Sequence, residues 1–193
     1  MLHNICLLVV ITIVYSSLGN SQEKTFGTRG VTEIAGGVSF SSITSVASGK
    51  TGDATTILSL APQLGYFVVD GFELGITTGM TLLPGVSVLT PERGDGTTIV
   101  QLFFSPSYNY HAEGSKVCPF IEPQIGYTSM SSGSSSQSGF SYGVRAGIKV
   151  IAVEHFLVSL SGQYVALTFN ESGATERSGF NYLAFGVGVA GYF

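Results

Sequence analysis

The sequence predicts an all-β fold, namely an eight-stranded antiparallel up-and-down transmembrane β-barrel preceded by a signal peptide. Apolar side chains recur at every second position in eight segments, which is the period of a strand with two unlike faces. Only 10% of the 193 residues are charged and 26 are glycine, whereas an ordinary soluble domain has about 25% charged residues. Short turns and long polar loops alternate between the segments, as they do in transmembrane barrels.

The first element is an N-terminal targeting segment. Residues 5–15 form an apolar core that is too short to span a membrane as a helix. The small residues that follow offer signal-peptide cleavage after Gly19 or after Ser21. We prefer Ser21 and therefore expect a signal peptide over 1–21 and a single barrel domain over 22–193.

Eight segments of alternating polarity follow the targeting segment. In the second of them, for example, Leu58 and Leu60 flank Ser59. Most of the segments are longer than the usual soluble strand of about 5 to 6 residues, and they are long enough for a tilted membrane crossing of about 9 to 11 residues. In chain order, the predicted strands are 33–40, 58–66, 72–80, 100–109, 117–127, 140–150, 156–164 and 182–193.

The connections between these strands alternate in length. Asp70-Gly71 is predicted to form a tight hairpin turn in which both residues adopt positive φ angles, and 111–116 and 152–155 are the other short links. With an even number of strands, both termini fall at the short-turn end, which is the periplasmic side of such barrels. The longer polar loops are predicted over 45–54, 83–97, 131–139 and 170–179.

The composition of the two strand faces indicates which one contacts lipid. The polar face consists mostly of Gly, Ser, Thr, Ala and Gln, which are too small and too uncharged to cover a water-facing exterior. Aromatic residues near the predicted strand ends lie on the apolar face, as in the aromatic girdles of membrane barrels. The apolar face is therefore predicted to contact lipid. The girdle residues are Tyr66, Tyr108, Tyr110, Tyr127, Tyr164 and Phe193.

Two stretches carry a resemblance to a known family. Residues 61–75, APQLGYFVVDGFELG, resemble the second hairpin of small outer-membrane β-barrel proteins of the OmpA/OmpX-like kind. The last strand resembles the C-terminal signal by which the barrel-assembly machinery recognises its clients, although Gly191 stands where that signal usually has a large residue. The residues that form this signal are Phe185, Val187, Val189 and Phe193.

The resemblance implies a place in the bacterial outer membrane, with both termini periplasmic. It also implies two partners, which are outer-membrane lipid and, during biogenesis, the barrel-assembly machinery. It is specific for architecture and says little about activity, because one such scaffold supports many functions.

Five charged residues share the inward face, and buried charges persist only when they are paired. Glu122 and Arg145 lie at similar distances from the centre of the loop 131–139, which predicts that they sit opposite each other on adjacent strands. Because side chains can fill the interior of an eight-stranded barrel, we predict a plugged lumen held by ion pairs; a gated proton or ion path is the alternative. The five residues are Glu33, Glu73, Glu122, Arg145 and Lys149.

The function predicted from these features is a structural, surface or loop-mediated binding role, in which an extracellular ligand binds through the four long loops. A net charge of −4 excludes the basic footprint of a nucleic-acid binder. One alternative is an outer-membrane barrel enzyme acting on lipid or peptide, and another is a soluble ligand-binding barrel of the lipocalin type. The first needs a base near the outer leaflet, but His111 and His155 fall in short turns, so we predict no catalytic, cofactor or metal site.

Overall fold

The described part of the chain forms a single closed β-barrel. The computed structural model describes residues 25–47, 50–83, 97–132, 135–169 and 178–193. Eight antiparallel strands pair in chain order, and the last strand pairs with the first, which confirms the predicted fold class. The predicted signal peptide over 1–21 lies outside the described residues.

The strand bounds at the short-turn end lie close to the predicted ones. No helix within the described ranges is long and apolar enough to cross a membrane. The strands are β1 (Thr32–Ala47), β2 (Lys50–Val69), β3 (Phe72–Leu83), β4 (Thr97–Asn109), β5 (Val117–Ser132), β6 (Ser135–Val153), β7 (Phe156–Phe169) and β8 (Ser178–Tyr192).

The apolar face of the strands forms the exterior of the barrel. Along β4, Leu102 and Phe104 are 53% and 49% exposed, whereas Gln101 and Phe103 beside them are almost fully buried. A water-soluble barrel has the opposite arrangement, with its apolar side chains inside and charged groups outside. The lipocalin-type alternative is therefore wrong, and the exterior is that of a membrane-spanning barrel.

Both described chain ends lie at the end of the barrel that carries the three short turns, here called the turn end. Thr32 and Phe193 exchange two backbone hydrogen bonds of 2.9 and 3.0 Å there. In the Asp70-Gly71 turn, Gly71 has a φ of 76°, but Asp70 does not have a positive φ. The expectation for Asp70 is wrong because β2 and β3 shift register between Phe67 and Val69, so a single left-handed residue suffices.

At the opposite end, called the loop end, two predicted loops are mostly strand. β1 and β2 stay paired up to Ala47 and Lys50, so only 48–49 separates them within the predicted loop 45–54. β5 and β6 stay paired up to Ser132 and Ser135, within the predicted loop 131–139.

These two loop predictions are wrong because they relied on the alternation of polarity. That alternation stops where neither face has to be apolar, whereas backbone pairing can continue through stretches rich in Ser and Thr. Of the other two predicted loops, 84–96 and 170–177 lie outside the described residues.

The lumen is packed with side chains from all eight strands. It contains two apolar clusters, one at each end, as well as the small and polar residues that the sequence predicted. The turn-end cluster consists of Phe26, Val31, Phe67, Cys118, Leu157, Ala190 and Tyr192. The loop-end cluster consists of Ile99, Phe103, Met130, Val165 and Leu167, with Tyr182 packed against it.

Candidate functional site: the polar column of the lumen

The polar and charged side chains that cross the lumen between the two apolar clusters are here called the polar column. The part of this column nearest the turn end is a buried lysine between two carboxylates. The Nζ atom of Lys149 lies 2.7 Å from Oε2 of Glu33 and 3.3 Å from Oε2 of Glu73. Oε2 of Glu73 also accepts hydrogen bonds from Ser107 Oγ and Asn109 Nδ2, at 3.0 and 3.2 Å. All five side chains are almost completely buried. This group joins β1, β3, β4 and β6 across the lumen.

A missing side chain on β2 makes room for this group. Gly65 pairs with Gly75 on β3, and a Cβ atom added at Gly65 would collide with Oε1 of Glu73. That oxygen is buried and has no hydrogen-bond partner among the described residues. Gly65 is therefore needed for close approach of the Glu73 carboxylate to the barrel wall.

A second ion pair lies in the middle of the column. Glu122 and Arg145 are direct register partners on β5 and β6, and Nη2 of Arg145 lies 2.6 Å from Oε2 of Glu122. Arg145 also donates to the side-chain oxygen of Gln63, and Gln63 in turn donates to Glu122 at 3.1 Å. Gln124 donates to Oε1 of Glu122 at 2.8 Å, and Gln163 donates to Gln124 at 2.7 Å. Both oxygens of Glu122 are thus hydrogen-bonded.

Neutral hydrogen bonds continue the column towards the loop end. The Tyr182 hydroxyl donates to Gln101 at 3.1 Å, and Gln101 donates to the Thr128 hydroxyl at 3.3 Å. Thr128 donates to Ser141 at 2.9 Å. Uncharged groups therefore link β4, β5, β6 and β8 in this half of the lumen.

The segment before β1 packs into the turn end of the lumen. The ring of Phe26 packs edge to face on Phe67 and Tyr192, with centroid distances of 5.3 and 5.4 Å. Lys149 Nζ lies 5.2 Å from the centre of the Phe26 ring and 5.3 Å from that of Phe120, distances typical of cation–π contacts. The lysine is thus enclosed by aromatic rings where it is not bound by carboxylates.

Hydrogen bonds to the Asp70-Gly71 turn hold this N-terminal segment, residues 25–31, in place. The Gly71 amide donates to the Gly27 carbonyl at 2.7 Å, and the Arg29 amide donates to the Asp70 carboxylate at 2.7 Å. Sequence reasoning did not identify this segment as part of the lumen packing. The only indication in the sequence was Phe26, which lies between the targeting segment and the first predicted strand and belongs to no segment of alternating polarity.

The structure brings all five predicted lumen charges into the polar column, in two groups. Glu122 and Arg145 form one group, and Lys149 joins Glu33 and Glu73 in the other. Sequence reasoning missed the glutamines and the Ser/Thr chain, which complete the network. Their signal was present, since Gln63, Gln101, Gln124 and Gln163 all occur on the inward face.

The residues of the predicted C-terminal signal all project from β8 to the exterior and are exposed. The Phe193 ring lies back over Gly191, because a Cβ atom added at Gly191 would come within 3.4 Å of the ring. Whether these residues direct assembly stays a prediction. The exposed residues are Phe185, Val187, Val189 and Phe193.

The chemistry that this arrangement supports is structural. Within the described ranges, no group of three or more His, Cys, Asp or Glu residues could hold a metal ion. Cys118 is a buried thiol packed in the turn-end cluster. The carboxylates of the column are engaged with cations, amides and hydroxyls from other strands, an arrangement that ties the barrel wall together.

No protein-family model and no curated protein matches the sequence. Among solved structures, Neisserial surface protein A is similar to this chain, with a TM-score of 0.65 and 14% identity over 86% of this chain and 100% of that one. The outer membrane protein OprG from Pseudomonas aeruginosa gives a TM-score of 0.54 and 15% identity, covering 86% of this chain and 97% of that one.

Ail, the attachment invasion locus protein of Yersinia pestis, is a third similar structure. It gives a TM-score of 0.51 and 14% identity, covering 86% of this chain and 100% of that one. At such low identity the likeness concerns the fold alone. The chain has the eight-stranded fold of small outer-membrane barrels.

Proposed function

We propose that this protein is a bacterial outer-membrane β-barrel with a plugged lumen, and that it acts through its surface and its loop end. Its fold is that of small outer-membrane barrels, and its apolar exterior suits contact with outer-membrane lipid. In this proposal the turn end and both termini face the periplasm. The residues of the last strand would meet the barrel-assembly machinery during biogenesis.

The observation that supports the plugged-lumen proposal is an apolar cluster at each end of the lumen. The turn-end cluster, which includes Phe26 of the N-terminal segment, lies below the polar column, and the loop-end cluster lies above it. Between them, side chains from different strands are hydrogen-bonded across the lumen. A diffusion pore needs a continuous aqueous path, and layers of packed side chains of this kind argue against one.

The loop end is the part of the protein to which we assign binding. Loops held by a rigid scaffold commonly carry recognition in such folds. The paired strands that lead to 48–49 and to 133–134 provide a support of this kind. A ligand of the loop end would contact the four connections predicted over 45–54, 83–97, 131–139 and 170–179.

The proposal includes no catalytic role. His111 and His155 lie in connections at the turn end, on the opposite side of the barrel from the proposed ligand. His155 pairs with the exposed Glu154 at 3.6 Å and its ring contacts Tyr192, so it takes part in local packing.

Planar-bilayer recording tests the plugged lumen. We expect the purified wild-type barrel to give no steady conductance, because both apolar clusters block the ion path. Phe26→Ala removes a ring of the turn-end cluster, so any conductance should be easier to detect in this variant. Tyr110→Ala removes an exposed aromatic ring at the same end and is the matched control. Steady, large conductance from the wild-type barrel would contradict the proposal.

Two further measurements test location and binding. Heat-modifiable migration on a gel, together with recovery from the outer-membrane fraction, should identify a folded membrane barrel. A screen of the isolated barrel against host matrix proteins and lipids, repeated with a variant shortened within 84–96, tests the loop end. Binding that persists when all four connections are shortened in turn and together would assign the ligand to another surface.

A further inference from the structure

The seam between β4 and β5 has a gap in its backbone pairing. Phe104 pairs with Ile125 and Tyr108 pairs with Ile121, but within these two fully described strands the three positions between those pairs form none. The seam between β6 and β7, in contrast, is paired without a break along residues 139–151 of β6. The wall is therefore less completely bonded between β4 and β5.

The direction of the backbone groups identifies the cause of the gap. The Tyr110 amide donates to the β5 side at 2.9 Å, whereas the Asn109 amide donates to the β3 side at 2.7 Å. Because backbone groups along a strand point alternately to its two neighbours, the even-numbered residues of β4 bond to β5. Pro106 is thus directed at β5, and the register places Pro123 opposite it. Neither proline has an N–H group to donate, so both bonds of this pair are missing.

A third proline weakens the same seam. Pro119 accepts a hydrogen bond from the Tyr110 amide but cannot return one. The three consecutive pairs 106 with 123, 108 with 121 and 110 with 119 therefore contain three prolines among six residues, so three of the six backbone donors are absent. Tyr108 and Ile121 are half-exposed on the lipid-facing exterior. In hydrocarbon no water replaces the missing donors.

The polar side chains of β4 in this half of the barrel bond away from the seam. Ser105 donates to Thr77 at 3.2 Å. Ser107 and Asn109 donate to Glu73, at 3.0 and 3.2 Å. Both acceptors belong to β3, so these bonds strengthen the side of β4 that is already fully paired.

The side chains of β5 are also directed away from β4. Glu122 pairs with Arg145 of β6, and Gln124 accepts a hydrogen bond from Gln163 of β7. The two sides of the seam are joined instead by links across the lumen, such as the bond of 3.1 Å from Gln63 of β2 to Glu122. The lumen network thus bridges the barrel without closing the gap in its wall.

We propose that the turn-end half of the β4–β5 seam is a built-in line of opening, along which these two strands separate locally while the rest of the barrel stays folded. Local opening of a folded protein occurs where stabilising contacts are fewest, and this seam lacks backbone donors that the β6–β7 seam retains. The cross-lumen links limit how far the strands can move apart. The opening is directed at the bilayer rather than along the barrel axis, so it goes beyond the proposed function.

Amide hydrogen exchange, followed by NMR of the refolded, ¹⁵N-labelled barrel in detergent micelles, tests the proposal. In the wild type we expect the Tyr108 and Ile121 amides to exchange at least about tenfold faster than the Ile148 and Leu160 amides, after correction for intrinsic rates. Ile148 and Leu160 form the reference pair because they lie opposite each other on the β6–β7 seam, at a similar distance from the turn end, in strands that contain no proline.

Restoring a donor should strengthen the seam. Pro106→Ala places an N–H opposite the Pro123 carbonyl, so exchange at Tyr108 and Ile121 should slow by about fivefold, the effect of one net backbone hydrogen bond. Pro62→Ala is the matched control, because it makes the same change on the β2–β3 seam, where pairing is also interrupted. It should leave exchange on the β4–β5 seam unchanged.

Three results would overturn the proposal. The first is equal protection of the two seams in the wild type, and the second is an unchanged exchange rate in folded Pro106→Ala. The third is equal slowing in Pro62→Ala, which would show that these amides exchange through unfolding of the whole barrel. If Pro106→Ala does not fold, Pro123→Ala restores the other missing donor with the same expectation, and the wild-type comparison decides independently of any variant. Bilayer conductance plays no part in this readout, so the two proposals can fail separately.

Discussion

The two halves of the lumen are stabilised by different interactions. Towards the turn end, ion pairs join distant strands, and a single ammonium, that of Lys149, serves both Glu33 and Glu73. Towards the loop end, the links are neutral hydrogen bonds such as that between Gln101 and Thr128, below a cluster of apolar side chains.

This difference predicts that substitutions in the polar network are tolerated less well in the turn-end half than in the loop-end half. Removing one partner of a buried ion pair leaves an uncompensated charge, which costs more than losing a neutral hydrogen bond. The turn-end half also depends on the N-terminal segment, whereas the loop-end half is built from the strands alone. The predictions below test this contrast, beginning with the largest expected effect.

Lys149→Met is expected to destabilise the barrel most. It leaves Glu33 and Glu73 without their shared cation, and breaking a buried ion pair costs about 3–5 kcal/mol of unfolding free energy. Urea unfolding in detergent micelles measures the change. Lys116→Met, at an exposed position in the turn between β4 and β5, is the matched control and should be close to neutral. Equal losses in the two variants would show that the buried lysine has no special role.

Leu102→Arg tests the assignment of the outer face in the loop-end half. A charged side chain on the lipid face near the bilayer midplane costs about 2–4 kcal/mol, and Leu102 is half-exposed on the exterior. Unfolding in lipid vesicles is the measurement, since detergent can rearrange around the charge. Leu102→Met keeps the position apolar and should cost less than about 1.5 kcal/mol. A neutral Leu102→Arg variant would place this residue outside the bilayer.

Thr128→Val should have a smaller effect, because it breaks only neutral links. Gln101 loses its acceptor and Ser141 loses its donor, and leaving such buried groups unpaired costs about 1–3 kcal/mol. Thr78→Val makes the same change on the exposed face of β3 and serves as the control. A loss as large as that of Lys149→Met would remove the contrast between the two halves.

Phe193→Ala is expected to change folded stability least, by less than about 1 kcal/mol, because the ring is partly exposed and the backbone bonds to Thr32 remain. We expect it instead to slow assembly and to leave unfolded protein in the periplasm. Pulse-chase measurement of heat-modifiable protein separates the two effects, with Tyr110→Ala as the control. An unchanged assembly rate would argue against the C-terminal signal.

The sequence predicted the barrel well because its main signal is local. A period of two can be recognised from neighbouring residues alone. It places Leu102 outside and Gln101 inside without any tertiary information. The pairing of Glu122 with Arg145 could also be predicted, because β5 and β6 form a hairpin and its register follows from the turn between them.

The loop-end boundaries were harder to predict for a related reason. Polarity stops alternating beyond the lipid-facing band, so residues 41–47 and 50–57 of the first hairpin resemble a loop in sequence although they are paired in the structure. Phe67, Phe103 and Leu157 were equally difficult, because each is a large apolar residue on the face that otherwise carries small and polar residues.

By itself, the sequence determined the strand count, the inward and outward faces, the short turns and the identity of the five lumen charges, since each of these depends on residues near one another in the chain. Only the tertiary structure decided that Lys149 meets Glu33, 116 residues away, and that Phe26 packs on Phe67 and Tyr192 at the turn end. Contacts across the lumen depend on the stagger accumulated over eight paired strands and on closure of β1 against β8. No local sequence pattern specifies this accumulated stagger or the closure.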